Sequence, residues 1–263
     1  MSVAATTSIP PALQMRGVAV GSARGTGVAV VEEVDWTVAA GEFWVVGAPQ
    51  LSGKSDFLMM AGGLTAPMGG DYFFLGERMP LFEESRLGHR LKLGLVFDGG
   101  RLISQLTVAE NLALPLRYHG HLAPAEIELR VTALLELTVL TPWAHHKSGT
   151  LGRSWQQRVG LARALALQPE VLLLDSPLTG LDVRHLTWWL DFLDQLSRGH
   201  DYLAGRPMTL VATADDLRPW RRHANRVACL AARRLRVLGD WQAAEASREA
   251  VVRELLPEAP SGD

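Results

Sequence analysis

FWVVGAPQLSGKS, residues 43–55, is the stretch whose reading decides the fold. Phe43 to Val46 form an apolar run with the length and composition of a strand buried on both faces. The run enters a turn-forming segment, and a helical pattern begins near Gly53. Within this stretch APQLSGKS, residues 48–55, sets a small residue and four variable positions before Gly53, Lys54 and Ser55. That is the spacing of a loop that cradles phosphates. Its backbone N–H groups and those of the helix N-terminus point at phosphate oxygens, and Gly53 lets the chain come close. Lys54 is placed to reach the terminal phosphates and Ser55 to hold Mg²⁺. Ala48 stands where the pattern has its first glycine, with Gly47 one place early, and alanine is small enough for that turn. Leu51 puts a large side chain where glycine is frequent. The candidate binding residues are Ala48, Pro49, Gln50, Leu51, Ser52, Gly53, Lys54, Ser55 and Asp56. Charge-assisted hydrogen bonds of roughly 1.5–3 kcal/mol each make such a loop a binding site without any catalytic base.

Working outward, the second informative stretch is VLLLDSPLTGLD, residues 171–182. A buried strand ends there on Asp175, a candidate Mg²⁺ carboxylate beside Ser55. Ser176 follows, where the usual chemistry wants a second carboxylate. Between and around these stretches, GVAVVEEVDWTVAAGEFWVV (27–46) predicts short strands joined by turns, and LKLGLVF and MTLVATA predict further strands. Residues near 105–150 read as helical, notably APAEIELRVTALLELTVL, as do SWQQRVGLARALALQPE and VRHLTWWLDFLDQLS. Strands alternating with helices imply a parallel sheet covered on both faces.

Length and composition agree with one large α/β domain or a core with a smaller subdomain. The chain has 263 residues, 48% of them hydrophobic and 21% charged, with a net charge of −2. That balance gives no basic excess for nucleic acid. One cysteine, Cys229, cannot pair internally and fits a reducing compartment. No apolar run approaches the ~20 residues of a membrane helix. MSVAATTSIPPALQMRG lacks the basic and apolar regions of a signal peptide, so a cytosolic or peripheral location is expected. The tail PEAPSGD reads as a solvated end.

The motif order resembles the ATP-binding cassette (ABC) transporter ATPases from about residue 11 to about residue 256. The resemblance is carried by GEF before the phosphate-loop strand, LTVAENLALPL, QQRVGLARALALQPEVLLLD and TGLD. Leu151 precedes Asp175 by 24 residues and Asp182 follows it by seven, as the family pattern requires. LTVAENLALPLRYH and LARALALQPEVLLLD look most like importer-type and MCE-associated lipid-transport ATPases. The resemblance implies an α/β fold: a P-loop NTPase (RecA-like) core with a mixed, mostly parallel sheet, plus antiparallel β and α-helical subdomains. It implies one nucleotide-binding domain over 1–263, with core at 11–99 and 160–240, a helical signature part at 100–159, and a C-terminal helix and tail at 241–263. It also implies ATP and Mg²⁺ as ligands, a second nucleotide-binding subunit, a membrane permease and, for the MCE type, a lipid carrier. The expected location is cytoplasmic, peripheral on the inner face of the cell membrane.

The departures from the family pattern cluster on the chemistry. LGRSW, residues 151–155, stands for the signature LSGGQ, so Arg153 occupies a glycine position and its guanidinium could reach a phosphate instead. Ser176 replaces the carboxylate that polarises water, and losing a positioned base typically costs 10² to 10⁴ in rate. Ala214 replaces the switch histidine. Asp98 replaces a glutamine, which suggests a carboxylate that ligates Mg²⁺ or orients water, or a plain loop residue. No aromatic residue lies between Leu13 and Gly21 to stack on adenine. Asp182 matches the family's aspartate that reaches across the dimer. The resemblance therefore leaves two functions open: an ATP-hydrolysing transport motor coupled to a permease, or a hydrolysis-deficient regulatory or scaffold subunit that binds nucleotide and leaves the chemistry to another chain.

Three other features read as structural. His145 and His146 are adjacent and point apart, so a solvated loop is expected rather than a metal site. Trp188 and Trp189 lie on a helix, one expected in the core and one on the surface. RPWRRH, residues 218–223, reads as a solvated segment.

Overall fold

A computed structural model describes residues 9–23, 25, 27–79 and 83–256. The termini read above, 1–8 and 257–263, lie outside the described residues. Among the described residues ten strands form one mixed sheet: β1 (Leu13–Gly21), β2 (Ala29–Val38), β3 (Phe43–Gly47), β4 (Gly69–Phe74), β5 (Glu77–Arg78), β6 (Leu93–Val96), β7 (Val171–Leu174), β8 (Thr209–Ala214), β9 (Arg226–Ala231) and β10 (Arg234–Gly239). Their order is β5-β4-β1-β2-β10-β9-β3-β8-β7-β6. The helices are α1 (Lys54–Ala61), α2 (Leu87–Arg90), α3 (Val108–His119), α4 (Pro124–Leu137), α5 (Arg153–Leu165), α6 (Val183–Arg198), α7 (Trp241–Ala246) and α8 (Ala250–Leu255).

The parallel part is β9-β3-β8-β7-β6, and its strands are the continuous apolar runs. Every residue of β3, β7 and β8 is buried, which a strand covered on both faces requires. Side chains alternate between two cores. Val45, Leu172, Leu174, Leu210 and Ala212 face the layer of α3 to α6, whereas Trp44, Val46, Val171, Leu173 and Val211 face α1 and the strands β1, β2 and β4. The antiparallel part pairs β1 with β2 and β4, and there burial alternates: Val34, Trp36 and Val38 are buried, Asp35 and Thr37 exposed.

Helices fill the region expected from 105 to 150, but as two separate helices, α3 and α4, followed by short 3₁₀ turns. A capping box fixes the start of α3: Thr107 Oγ1 accepts from the Glu110 backbone, and Glu110 accepts from Thr107 N–H at 2.7 Å. The residue-160 division suggested by the family pattern falls inside α5, which runs unbroken from Arg153 to Leu165.

Candidate functional site

The C-terminal ends of β3, β8, β7 and β6 lie side by side, since Gly47 pairs with Ala214, Leu174 with Ala212, and Val96 with Leu174. In such a sheet this edge is where ligands are taken up. It gathers the loop after β3 (48–53), Ala214, Asp175 with Ser176, and Asp98 along one rim. Ala48 N–H donates to the Ala214 carbonyl at 2.7 Å, and Asp175 N–H donates to the Val96 carbonyl at 2.8 Å, so the rim is tied strand to strand.

The loop turns into α1 at Gly53, whose φ of +88° needs glycine. A Cβ there would come to 3.3 Å from Val30. No side chain caps α1, so its first N–H groups are open for an external acceptor. Ser52 Oγ is buried without a hydrogen-bond partner. Lys54 makes no ion pair or hydrogen bond among the described residues. A buried orphan hydroxyl, an uncommitted ammonium and a bare helix start form a donor set that fits a phosphate chain. Ser55 and Asp175 supply the hard oxygens that Mg²⁺ prefers. Leu51 sits at φ +61° with its side chain fully in solvent, and Asp56 accepts from Ala23 N–H at 2.8 Å, pinning the β1–β2 turn to α1.

Asp175 is 5% exposed, and the Thr213 hydroxyl lies 3.3 Å from its Oδ1. Ser176 is equally buried and takes a left-handed conformation, φ +49°. Its N–H donates to Thr213 Oγ1 at 3.0 Å, and its carbonyl accepts from Gln157 Nε2 at 3.3 Å. Thr213 and Gln157 are thus anchors that sequence reasoning missed. Their signal was only the placement of VATADD and QQRV beside the motifs. Beside Ser176 and Ala214 opens a cavity of about 230 Å³, bounded also by Thr179, Asp215 and Trp220. Its walls hold the Asp215 and Asp216 carboxylates and the Thr179 and Thr213 hydroxyls, while the side chains at positions 176 and 214 themselves carry no base.

Asp98 is not loose on the rim: it is ion-paired with Arg153, the first residue of α5. The guanidinium considered above as a phosphate ligand is engaged within its own chain. Asp182 caps α6 by accepting from His185 N–H at 3.0 Å and contacts His185 Nδ1 at 2.9 Å. Those bonds hold its carboxyl below the usual carboxylate range. Arg158, 4% exposed, is sandwiched with its guanidinium 3.6 Å from the Trp188 ring centre and 4.7 Å from that of Trp155. Burial pushes its pKa down to about 10, opposed by the Asp182 charge, which leaves it cationic at neutral pH. Trp189 is fully buried, and Trp188, half-buried, stacks on Arg158 and Phe192 rather than standing in solvent. Among the described residues no group of three His, Cys, Asp or Glu could hold a metal, His145 and His146 included. None of the described helices is long and apolar enough to cross a membrane.

The family described as ABC transporter matches residues 31–179. The methionine import ATP-binding protein MetN 1 of Pseudomonas putida is 34% identical over 180 residues, 68% of this chain and 52% of that protein, so the chain spans about half of that relative's length. The lipoprotein-releasing system ATP-binding protein LolD 1 of Rhodopseudomonas palustris is 32% identical over 72% of this chain and 82% of its own. Among solved structures, the dimeric post-hydrolysis cassette MJ0796 bound to ADP and Pi superposes with a TM-score of 0.74 at 28% identity, covering 85% of this chain and 96% of that one. The cbiO1 structure from Clostridium perfringens, part of the transporter complex cbiONQ, has a TM-score of 0.73 at 20% identity, over 88% and 89% of the chains, a likeness of fold alone. A family match over more than half of the chain, with relatives 32–34% identical over about two thirds of it or more, shows that the chain belongs to the ABC transporter family.

Proposed function

We propose that this protein is the ATP-binding subunit of a membrane transport complex, and that it grips Mg-ATP firmly while hydrolysing it slowly if at all. The observation that carries this reading is the uncommitted donor set of Ser52, Lys54 and the start of α1 on the same rim as Asp175, next to Ser176 and Ala214 in place of a base. Lys54 and the N–H groups of residues 50–55 would hold the phosphates, and Ser55 with Asp175 the Mg²⁺. Bound Mg-ATP would supply the phosphate charge around which two subunits close. Ser176 and Ala214 leave the base and switch positions without groups that activate water. Losses on one catalytic step are not additive, yet a site short of both base and switch residue is slow.

The domain division follows the same reading: residues 11–99 and 160–240 bind nucleotide, 100–159 meets the permease, and 241–263 closes the chain. MetN 1 and LolD 1, with near-equal identity to this chain, are named for different transport systems, which supports a shared role as ATP-binding subunit with the cargo set by the permease. A dimeric relative supports a second nucleotide-binding subunit. Docking on a permease places the protein peripherally on the inner face of the cell membrane. Lipid cargo, with an MCE-type carrier as partner, belongs to this proposal through the sequence resemblance, and co-purification of such a carrier with the permease complex tests it.

The central test is calorimetry with Mg-ATP together with phosphate release, on the protein alone and with its permease. Binding by the parent, none by Lys54→Ala, and release no faster than in that variant is the expected result. Absence of binding by the parent refutes the reading.

A further inference from the structure

Two departures from the family pattern meet in space. Asp98, two residues beyond the end of β6, and Arg153, the first residue of α5, stand 55 positions apart and form an ion pair with side chains 45% and 49% exposed. The guanidinium also lies across two glycines in left-handed conformations. A Cβ on Gly99 would sit 3.3 Å from Arg153 Nη1, and one on Gly180 would sit 3.8 Å from its Nε. Further along, Gly100 approaches so closely that a Cβ would fall 2.3 Å from the Gln156 carbonyl oxygen. Arg163 donates to the carbonyls of Gly100 at 2.9 Å and Arg101 at 3.0 Å. Segment 98–101 is therefore fastened along α5 at two points by backbone contacts and arginine bonds, and at the first turn of the helix by the charge pair.

We propose that Asp98 and Arg153 are one compensating change, a latch that engages both groups in cis. It closes the 98–101 segment on the first turn of α5, keeps the Asp98 carboxylate from acting as a metal ligand, and holds the Arg153 guanidinium back from a phosphate on a second subunit. The closure follows from the geometry of one chain. The held-back guanidinium rests on the nucleotide-binding reading above. A bulky cation at a glycine position and a carboxylate at an amide position are each a liability alone. Together they cancel in charge and fill the space over the two glycines.

Two arms test the two halves. The first uses the nucleotide-free full-length protein and follows hydrogen exchange at the Gly100, Trp155 and Gln156 amides in the parent, in Arg153→Gln, in Asp98→Asn and in the swap Asp98→Arg with Arg153→Asp. Exchange about three-fold faster in both single variants, and within two-fold of the parent in the swap, is expected of a half-exposed pair. Salt weakens ion pairs as exposed as this one, so the parent itself should move toward the single variants in 1 M salt. Unchanged exchange in the single variants, a swap as fast as they are, or a parent indifferent to salt overturns the latch. The second arm measures self-association with Mg-ATP by sedimentation. Asp98→Asn, which frees the guanidinium, should tighten association at least three-fold, and Arg153→Gln should match the parent. Weakened association in Arg153→Gln would make that arginine a phosphate contact already and overturn the held-back role. If no variant binds Mg-ATP while the first arm holds, the nucleotide reading fails and the cis closure stands.

Discussion

Ser176 concentrates the protein's chemistry in one residue. A serine in the left-handed region costs roughly 1–2 kcal/mol relative to ordinary backbone, and here the conformation is held by the Thr213 hydroxyl on its N–H and the Gln157 amide on its carbonyl. The turn after β7 is thus pinned by its backbone, while the side chain it presents is only a hydroxymethyl group. The cavity of about 230 Å³ beside Ser176 and Ala214 leaves room for larger side chains at both positions. Restoring a base and an imidazole with Ser176→Glu and Ala214→His is therefore expected to raise Mg-dependent phosphate release at least ten-fold over the parent, with Mg-ATP affinity within a few-fold. Turnover unchanged in a variant that still binds nucleotide would show that the slow step lies elsewhere, for instance at the latched first turn of α5. The substitution at residue 176 was legible in the sequence, because a carboxylate there is a matter of residue type. Its left-handed backbone was not, because two side chains from distant segments impose it.

At the scale of elements, α3 shows how a helix in the least regular part of the chain is held. Asn111 is fully buried, and its amide serves five groups: Oδ1 accepts from Ile103 N–H at 3.0 Å, and Nδ2 faces the carbonyls of Thr107 at 3.0 Å, Ile103 at 3.2 Å and Leu106 at 3.4 Å and Ser148 Oγ at 3.2 Å. It ties the loop that follows the 98–101 segment to both α3 and the turn before α5. Thr107→Ala removes one cap and should cost about 1 kcal/mol. Asn111→Ala strands a buried N–H and leaves a void, and should cost about 2–3 kcal/mol. Urea midpoints at constant m-value would check both, and a smaller effect for Asn111 than for Thr107 would contradict this account of the network. Elements such as β3, β7 and β8 were readable because a strand buried on both faces must be apolar throughout. β10 and the short α7 and α8 had no such pattern: in β10, Arg234 and Arg236 carry ion pairs on their exposed side and break the apolar run. The Asp98–Arg153 pair was equally invisible, since nothing in the two local sequences links residues 55 positions apart.

For the whole molecule, the two cores on either side of the sheet mean that the centre cannot open without losing both. Cys229 reports on that centre. It lies on β9 opposite Gly47, one residue before the 48–53 loop, and is fully buried. Burial, with the Glu249 charge as a smaller contribution, pushes its thiol up to about 12, so almost no thiolate is present in the folded protein near pH 8. As the chain's sole cysteine, it gives a single labelling signal. Native protein at pH 8 should react with a thiol reagent at least 100-fold more slowly than a free thiol, and at the rate set by the population of the opened sheet. A ligand that binds only the folded state lowers that population by 1 + [L]/Kd, so Mg-ATP at 100 times its Kd should slow labelling a further ~100-fold, equivalent to ~2.7 kcal/mol. Lys54→Ala should label at the nucleotide-free rate whether or not Mg-ATP is present. Were labelling of the parent indifferent to nucleotide although calorimetry shows binding, β9 would be opening by itself, and the hairpin at residues 226–239 would be a separately unfolding unit rather than part of the sheet's cooperative centre.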